Sequence, residues 1–217
     1  MIRLMPIILT LLAFYLPVNA QVEADMKLCG LTNSEFASAQ VDNFSDQQLK
    51  TLLGYRESNY MEINRFLRGL DISYLPDDRK AEARVREQIR ILDEAFIRTP
   101  GIPCNLRVFR GVIFLKDMHI PQVGEVYLDL GYLSTSAHES TAKFFAEKSV
   151  IGASEFTRII FKIDLPSGFK AIYMNVTSFR SDVHVREQEI TIPRAVSFYI
   201  VQSERQGDVT YITLKPK

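Results

Sequence analysis

Between residues 46 and 98, apolar residues recur at three- and four-residue intervals, the spacing of one face of an amphipathic helix. Leu49, Leu52 and Leu53 make one such stripe, and Ile63, Phe66, Leu67 and Leu70 make another. Asp77 or Asp78 can cap a further helix running through Phe96, with Val85, Ile89, Leu92 and Phe96 turned inward. Thr99-Pro100-Gly101-Ile102-Pro103 then ends the helical half. Beyond it the pattern changes to short apolar and β-branched runs, which predict strands at Leu106–Phe114, Val126–Thr135, Arg158–Leu165, Lys170–Asn175, Val185–Ile192, Val196–Gln202 and Val209–Leu214. Pro166-Ser167-Gly168 and Gln206-Gly207-Asp208 supply turns between runs, and one helix is predicted around Ser140–Glu147. A helical N-terminal half followed by a mostly antiparallel β-rich half is the segregated α+β pattern.

The first twenty residues stand outside that pattern. Arg3 supplies a positive start, Pro6 to Pro17 an apolar stretch, and Val18-Asn19-Ala20 small residues at a cleavage position, which together read as a secretory signal peptide. The apolar stretch is shorter than the ~20 residues a spanning helix needs, so a membrane anchor is not expected. Residues 21–217 are expected to form a single domain of a secreted protein, with no stable membrane insertion. Without Arg3, the 197 remaining residues carry 25 Lys and Arg against 26 Asp and Glu. A net charge near −1 offers no bulk attraction for nucleic acid or anionic lipid.

Cys29 and Cys104 are the two cysteines. Export permits a disulfide between them, and two free thiols remain the alternative. His119, His138 and His184 show no metal-ligand spacing, so no metal site is expected.

Three segments of the β-rich half carry candidate chemistry. In Val185-Arg186-Glu187-Gln188-Glu189-Ile190-Thr191-Ile192, strand alternation would place Glu187 and Glu189 on one side, with Gln188 facing away. Two carboxylates that close repel each other, and they suit a site where a cation or a developing positive charge arrives. Acidic residues on a wet strand face are otherwise common. In Leu106-Arg107-Val108-Phe109-Arg110-Gly111-Val112, the Arg110 guanidinium could grip a phosphate, and Gly111 could let a ligand approach the backbone. In Gly131-Tyr132-Leu133-Ser134-Thr135-Ser136, alternation puts Ser134 and Ser136 on one face, where hydroxyls can brace a carboxylate.

Arginine, Ser-Thr-Ser and Glu-x-Glu in that order resemble the elements of mono-ADP-ribosyltransferases. The helix Tyr60-Met61-Glu62-Ile63-Asn64-Arg65-Phe66-Leu67-Arg68 is similar to the one preceding the arginine strand in the bacterial toxin branch. The likeness runs from about residue 40 to residue 213. It implies the ADP-ribosyltransferase fold, two packed and mostly antiparallel sheets behind an N-terminal helical region. It also implies transfer of ADP-ribose from NAD, a substrate here, to a protein side chain.

By the resemblance, Arg110 would hold the NAD phosphates and the Gly111 backbone the nicotinamide amide. Ser134 would orient Glu189, and Thr135 and Ser136 would shape the pocket floor. Glu189 would stabilise the oxocarbenium ion formed as nicotinamide leaves. Tyr60 and Asn64 would touch NAD, as would Phe145 and Lys148 after the serine motif. Lysine replaces the family's usual arginine at 148, so a two-point phosphate grip is not implied there. Glu187 resembles the mark of arginine modification, whereas the Rho-modifying exoenzymes have glutamine at that position. A carboxylate can orient a guanidinium and help take its proton. His184 stands where an aromatic residue often precedes the first glutamate, and Phe179 could substitute from further back.

The expected function is therefore a secreted arginine-directed ADP-ribosyltransferase, a bacterial toxin or effector acting on a host protein as a monomer. An NAD glycohydrolase and a non-enzymatic binding module of the same fold are the other two classes. In length the chain is similar to the single-domain Rho-modifying exoenzymes. It has no room for the docking domain of the actin-modifying binary toxins.

Overall fold

A computed structural model describes residues 28–72, 78–115, 117–148, 156–177 and 188–217. The signal-peptide segment 1–20, Asp77, Phe179, His184 and Glu187 lie outside the described residues.

The helical half holds four α-helices. α1 spans Asn33–Val41, α2 Asp46–Gly54, α3 Tyr60–Leu67 and α4 Asp78–Arg98, with a π-helical turn over Tyr55–Asn59 between α2 and α3. The sequence reading passed over α1, although Thr32 and Glu35 form a capping box at its start, the Thr32 hydroxyl meeting the Glu35 amide and the Glu35 carboxylate meeting the Thr32 amide. Ser45 and Gln48 cap α2 the same way. In α4 the predicted stripe holds, with Val85, Ile89, Leu92 and Phe96 all buried. Leu70 falls just past α3 and is exposed, since the helix ends at Leu67.

The β-half comprises β1 (Leu106–Leu115), β2 (Val126–Leu128), β3 (Leu133–Ser136), α5 (Glu139–Lys148), β4 (Phe156–Leu165), β5 (Ile172–Tyr173), a 3-10 turn (Met174–Thr177), β6 (Glu189–Ile192), β7 (Ser197–Gln206) and β8 (Val209–Pro216). The strands hydrogen-bond in the order β2-β7-β8-β4-β1-β3-β6-β5, and among the described residues only the β4–β8 neighbours run parallel. β1 and β4 pair along their whole length, from Leu106↔Leu165 to Leu115↔Phe156. β1 and β3 meet at one pair, Phe109↔Ser136, and diverge from it. That narrow join separates a five-stranded portion from a three-stranded one, β3-β6-β5. Both portions bury side chains in the same core, where Ile159, Phe161 and Ile163 of β4 and Ile212 and Leu214 of β8 join Leu133, Ile190 and Ile192. The α+β class is thus as expected.

Two predicted strands are shorter than the run of residues suggested, and a third departs from strand geometry at one residue. Val126–Thr135 splits into β2 and β3 because Asp129 takes a two-point ion pair from Arg68, at 2.9 Å for each bond, and also accepts the Gly131 amide at 2.8 Å. Lys170–Asn175 keeps two strand residues before the 3-10 turn. Of Val185–Ile192, the described residues form a strand from Glu189, and Gln188 just before it has φ +40°, in the left-handed region.

Cys29 and Cys104 are disulfide-bonded, with Cα atoms 5.6 Å apart. The bridge ties the chain just before α1 to the turn that leads into β1. Among the described residues no helix is long and apolar enough to cross a membrane.

Candidate active site

The site forms where β1 and β3 part. Register places Ser136 directly opposite Glu189 and Ser134 opposite Thr191. Alternation then sets Ser134, Ser136, Glu189 and Thr191 on one face of the β3–β6 pair. Thr135 points the other way, and its hydroxyl donates to the Ile190 carbonyl, tying the two strands from behind. On the polar face, the Thr191 hydroxyl donates to Glu189 Oε1 at 3.2 Å. Thr191 was not singled out from sequence, although it lies two residues past Glu189 on a predicted strand, and that spacing was the available signal. Ser136 Oγ is buried and accepts the His138 amide at 3.0 Å.

Arg110 reaches across the gap from β1, its Nη1 donating to the Ser134 carbonyl at 2.7 Å. Its Nε is buried and has no hydrogen-bond partner among the described residues. A guanidinium whose described partner is a carbonyl rather than a carboxylate retains charge and a donor for an anionic ligand, which fits a phosphate.

Tyr55, in the π-helical turn, is a second residue that sequence reasoning missed. Its phenol is fully buried, accepts from Asn64 Nδ2 at 3.0 Å and is hydrogen-bonded to the Ser134 side chain. Burial pushes the Tyr55 pKa up to about 12, with nearby Glu189 adding to the rise and the Ser134 and Asn64 bonds and Arg110 opposing it. The hydroxyl therefore keeps its proton at neutral pH. Its only sequence signal is the tyrosine nine residues before Asn64, and nine residues of regular helix span two and a half turns, which would put the two on opposite sides. The π-helical turn breaks that regularity, as such turns often do at functional sites.

Asn64 is buried, and its Oδ1 accepts the Tyr132 amide at 2.8 Å, so both ends of its amide hold protein groups. It fixes the start of β3. Tyr60, at the first position of α3, is half-buried. Arg68 and Asp129 lie beside this helix. Burial works against the Arg68 charge, but the bonds to Asp129 outweigh it and hold Arg68 above its usual range. Tyr127 lies near Asp129, Arg110 and Arg68, and burial first, then Asp129, pushes its pKa up to about 12.

Gly111 has a packing role in addition to the one expected of its backbone. A Cβ there would sit 1.7 Å from the Ala142 carbonyl oxygen and 3.0 Å from the Ala146 amide, so the missing side chain makes room for α5. Gly111→Ala should therefore displace α5 or unfold the domain. Overpacking of this kind costs about 1–3 kcal/mol or more, and a thermal melt within 2 °C of wild type would contradict it. On α5, Phe145 is 44% exposed and meets Phe144 edge-on at 5.8 Å, while Phe144 is half-buried. Lys148 closes α5. The structure thus brings Arg110, Ser134, Ser136 and Glu189 together around Tyr55, with Thr135 behind them. Glu187, Phe179 and His184 lie outside the described residues.

The model of the ADP-ribosyltransferase exoenzyme family matches residues 30–217, and the chain belongs to that family. Among solved structures, the Vis toxin, an ADP-ribosyltransferase from Vibrio splendidus, is 20% identical at a TM-score of 0.67, covering 92% of this chain and 83% of that one. Vis has also been solved in complex with agmatine. C3stau2 from S. aureus, solved with NAD, is 17% identical at a TM-score of 0.59, covering 85% of this chain and 93% of that one. Exoenzyme S from Pseudomonas aeruginosa is 19% identical at a TM-score of 0.60, covering 91% and 88%. No curated protein sequence matches the chain. At these identities the solved neighbours establish the fold, that of bacterial mono-ADP-ribosyltransferase toxins, which use NAD.

Proposed function

We propose that this protein is a secreted toxin that transfers the ADP-ribosyl group of NAD to an arginine side chain of a target protein, releasing nicotinamide. The observation that carries the reading is Glu189 on one polar face with Ser134, Ser136 and Thr191, beside an Arg110 whose Nε lacks a partner among the described residues. Arg110 supplies charge for the pyrophosphate of NAD. Glu189, held by Thr191, faces the positive charge that develops on the ribose as its bond to nicotinamide breaks and the electron pair leaves with nicotinamide. Tyr55, protonated and bonded to Ser134, holds the β3 side of the site.

The arginine acceptor rests on Glu187, two residues before Glu189. A carboxylate there pairs with a guanidinium and accepts the proton lost when the guanidinium nitrogen bonds to the ribose carbon. The agmatine complex of Vis is in keeping with a guanidinium acceptor in this fold.

The test is nicotinamide release from NAD by the mature protein, with and without agmatine. Agmatine should accelerate release by wild type. Glu187→Ala should lose transfer to agmatine while keeping most of the slow hydrolysis, because water needs no guanidinium partner. Equal loss of both activities would contradict that division of labour. Release indifferent to agmatine would point instead to a glycohydrolase or to another acceptor, and no release at all to a binding module.

A further inference from the structure

Gln188 stands between the two glutamates in a conformation that needs an explanation. It is fully buried, at 0% exposure, although it lies in a turn, and its φ of +40° is one that non-glycine residues adopt at a cost of about 1–3 kcal/mol. Such a residue persists only where its surroundings hold it. Two bonds do so. Its backbone carbonyl accepts the Ala137 amide at 3.2 Å, and its side-chain Nε2 donates to Asn33 Oδ1, 155 residues away in sequence, at 3.0 Å.

The next residue is Glu189, the first of β6. Its backbone direction is therefore set on one side by the ladder to Ser136 and on the other by Gln188. Asn33 is itself immobilised. It opens α1 just after the Thr32 cap, four residues past the disulfide-bonded Cys29. At the far end of α1, Gln40 is buried, donates to the Ala171 carbonyl at 3.0 Å and accepts the Tyr173 amide at 2.9 Å. α1 thus braces both strands at this edge of the sheet, β5 through Gln40 and β6 through Asn33.

We infer that Gln188 and Asn33 are a positioning pair: their hydrogen bond orients Glu189 for nicotinamide release, and α1 belongs to the support of the site. The inference rests on the proposed function, since it assigns Glu189 the work of bond cleavage. Their bond acts through the backbone that leads into Glu189, whereas Arg110 serves the phosphates in the proposed function, so the pair is expected to change turnover more than NAD affinity.

The experiment compares Asn33→Ala, Asn33→Asp, Gln188→Leu and the Asn33→Ala/Gln188→Leu double variant with wild type and Glu189→Ala, measuring kcat and KM for nicotinamide release. Misplacement of a reacting group by an ångström costs up to about a hundredfold, so Asn33→Ala and Gln188→Leu should each lower kcat about ten- to a hundredfold, with KM for NAD within about twofold. Asn33→Asp keeps an acceptor oxygen for Nε2 and should keep most of kcat. The double variant should be no worse than the poorer single one, because both remove the same bond. Should Gln188→Leu fail to fold, the contrast between Asn33→Ala and Asn33→Asp decides alone. Unchanged kcat in the Asn33 variants, equal loss in both, or a rise in KM with kcat preserved would overturn the inference while leaving the Glu189 assignment intact. Wild type without turnover would instead overturn the functional reading, and the inference with it.

Discussion

Glu189→Ala is expected to lower nicotinamide release from NAD about a hundred- to a thousandfold, both with agmatine and without it, since removal of one such electrostatic group typically costs that much. The fold should survive. Glu189 is half-buried on a face whose neighbours are hydroxyls, and the apolar residues of its strand, Ile190 and Ile192, remain packed in the core. Thr191 is buried and loses its Glu189 acceptor, which costs about 1–3 kcal/mol unless water enters the space the carboxylate leaves. NAD affinity should change little, because the charge that suits the pyrophosphate is on Arg110. Saturating-NAD kinetics paired with a thermal melt checks both halves of the expectation. A loss below tenfold in a folded variant would remove Glu189 from bond cleavage.

The second large effect concerns stability. The Cys29–Cys104 bridge closes a loop of 75 residues, and replacing both cysteines by alanine is expected to cost about 4 kcal/mol through the restored freedom of the unfolded chain. For a domain of this length that corresponds to a fall in Tm of roughly 10 °C. The bond also tethers the start of α1, so loss should be felt first along the β5–β6 edge that α1 braces. Chemical denaturation of wild type with and without reductant, beside the double variant, measures the cost. Reductant should bring wild type to the variant's stability and leave the variant unchanged. Equal stability of all samples would show that the bridge is not formed in solution.

How far the chain could be read from its residues depended on the range of the interactions involved. Val85, Ile89, Leu92 and Phe96 were legible as the buried stripe of a helix, and β1, β4, β7 and β8 were legible with modest errors at their ends. In each case the apolar period is enforced by neighbours a few residues away and by one buried face. The Ser-Thr-Ser element and Glu189 were legible for the same reason. Strand alternation alone puts Ser134 with Ser136, and the backbone pairing of β3 with β6 then brings them to Glu189.

Tertiary structure decided the rest. Val126–Thr135 reads as one strand until Arg68, 61 residues earlier in the chain, claims Asp129 and breaks it. Gln188 reads as a strand residue until Asn33 and Ala137 hold it in a left-handed turn. The need for glycine at 111 on packing grounds shows only when the backbone of α5 is found where a side chain would be. Tyr55 could not be read as part of the site at all, because a regular helix puts it on the side opposite Asn64 and only the π-helical turn brings the phenol to that amide. The two cysteines have one possible intramolecular pairing, but whether they bond depends on the fold bringing their Cα atoms to 5.6 Å. What the sequence determined by itself was periodicity and motif, both written in residues close together along the chain. What only the tertiary structure decided was every contact whose partner lies far away, because no local pattern records which distant group will satisfy a buried donor or claim a charge.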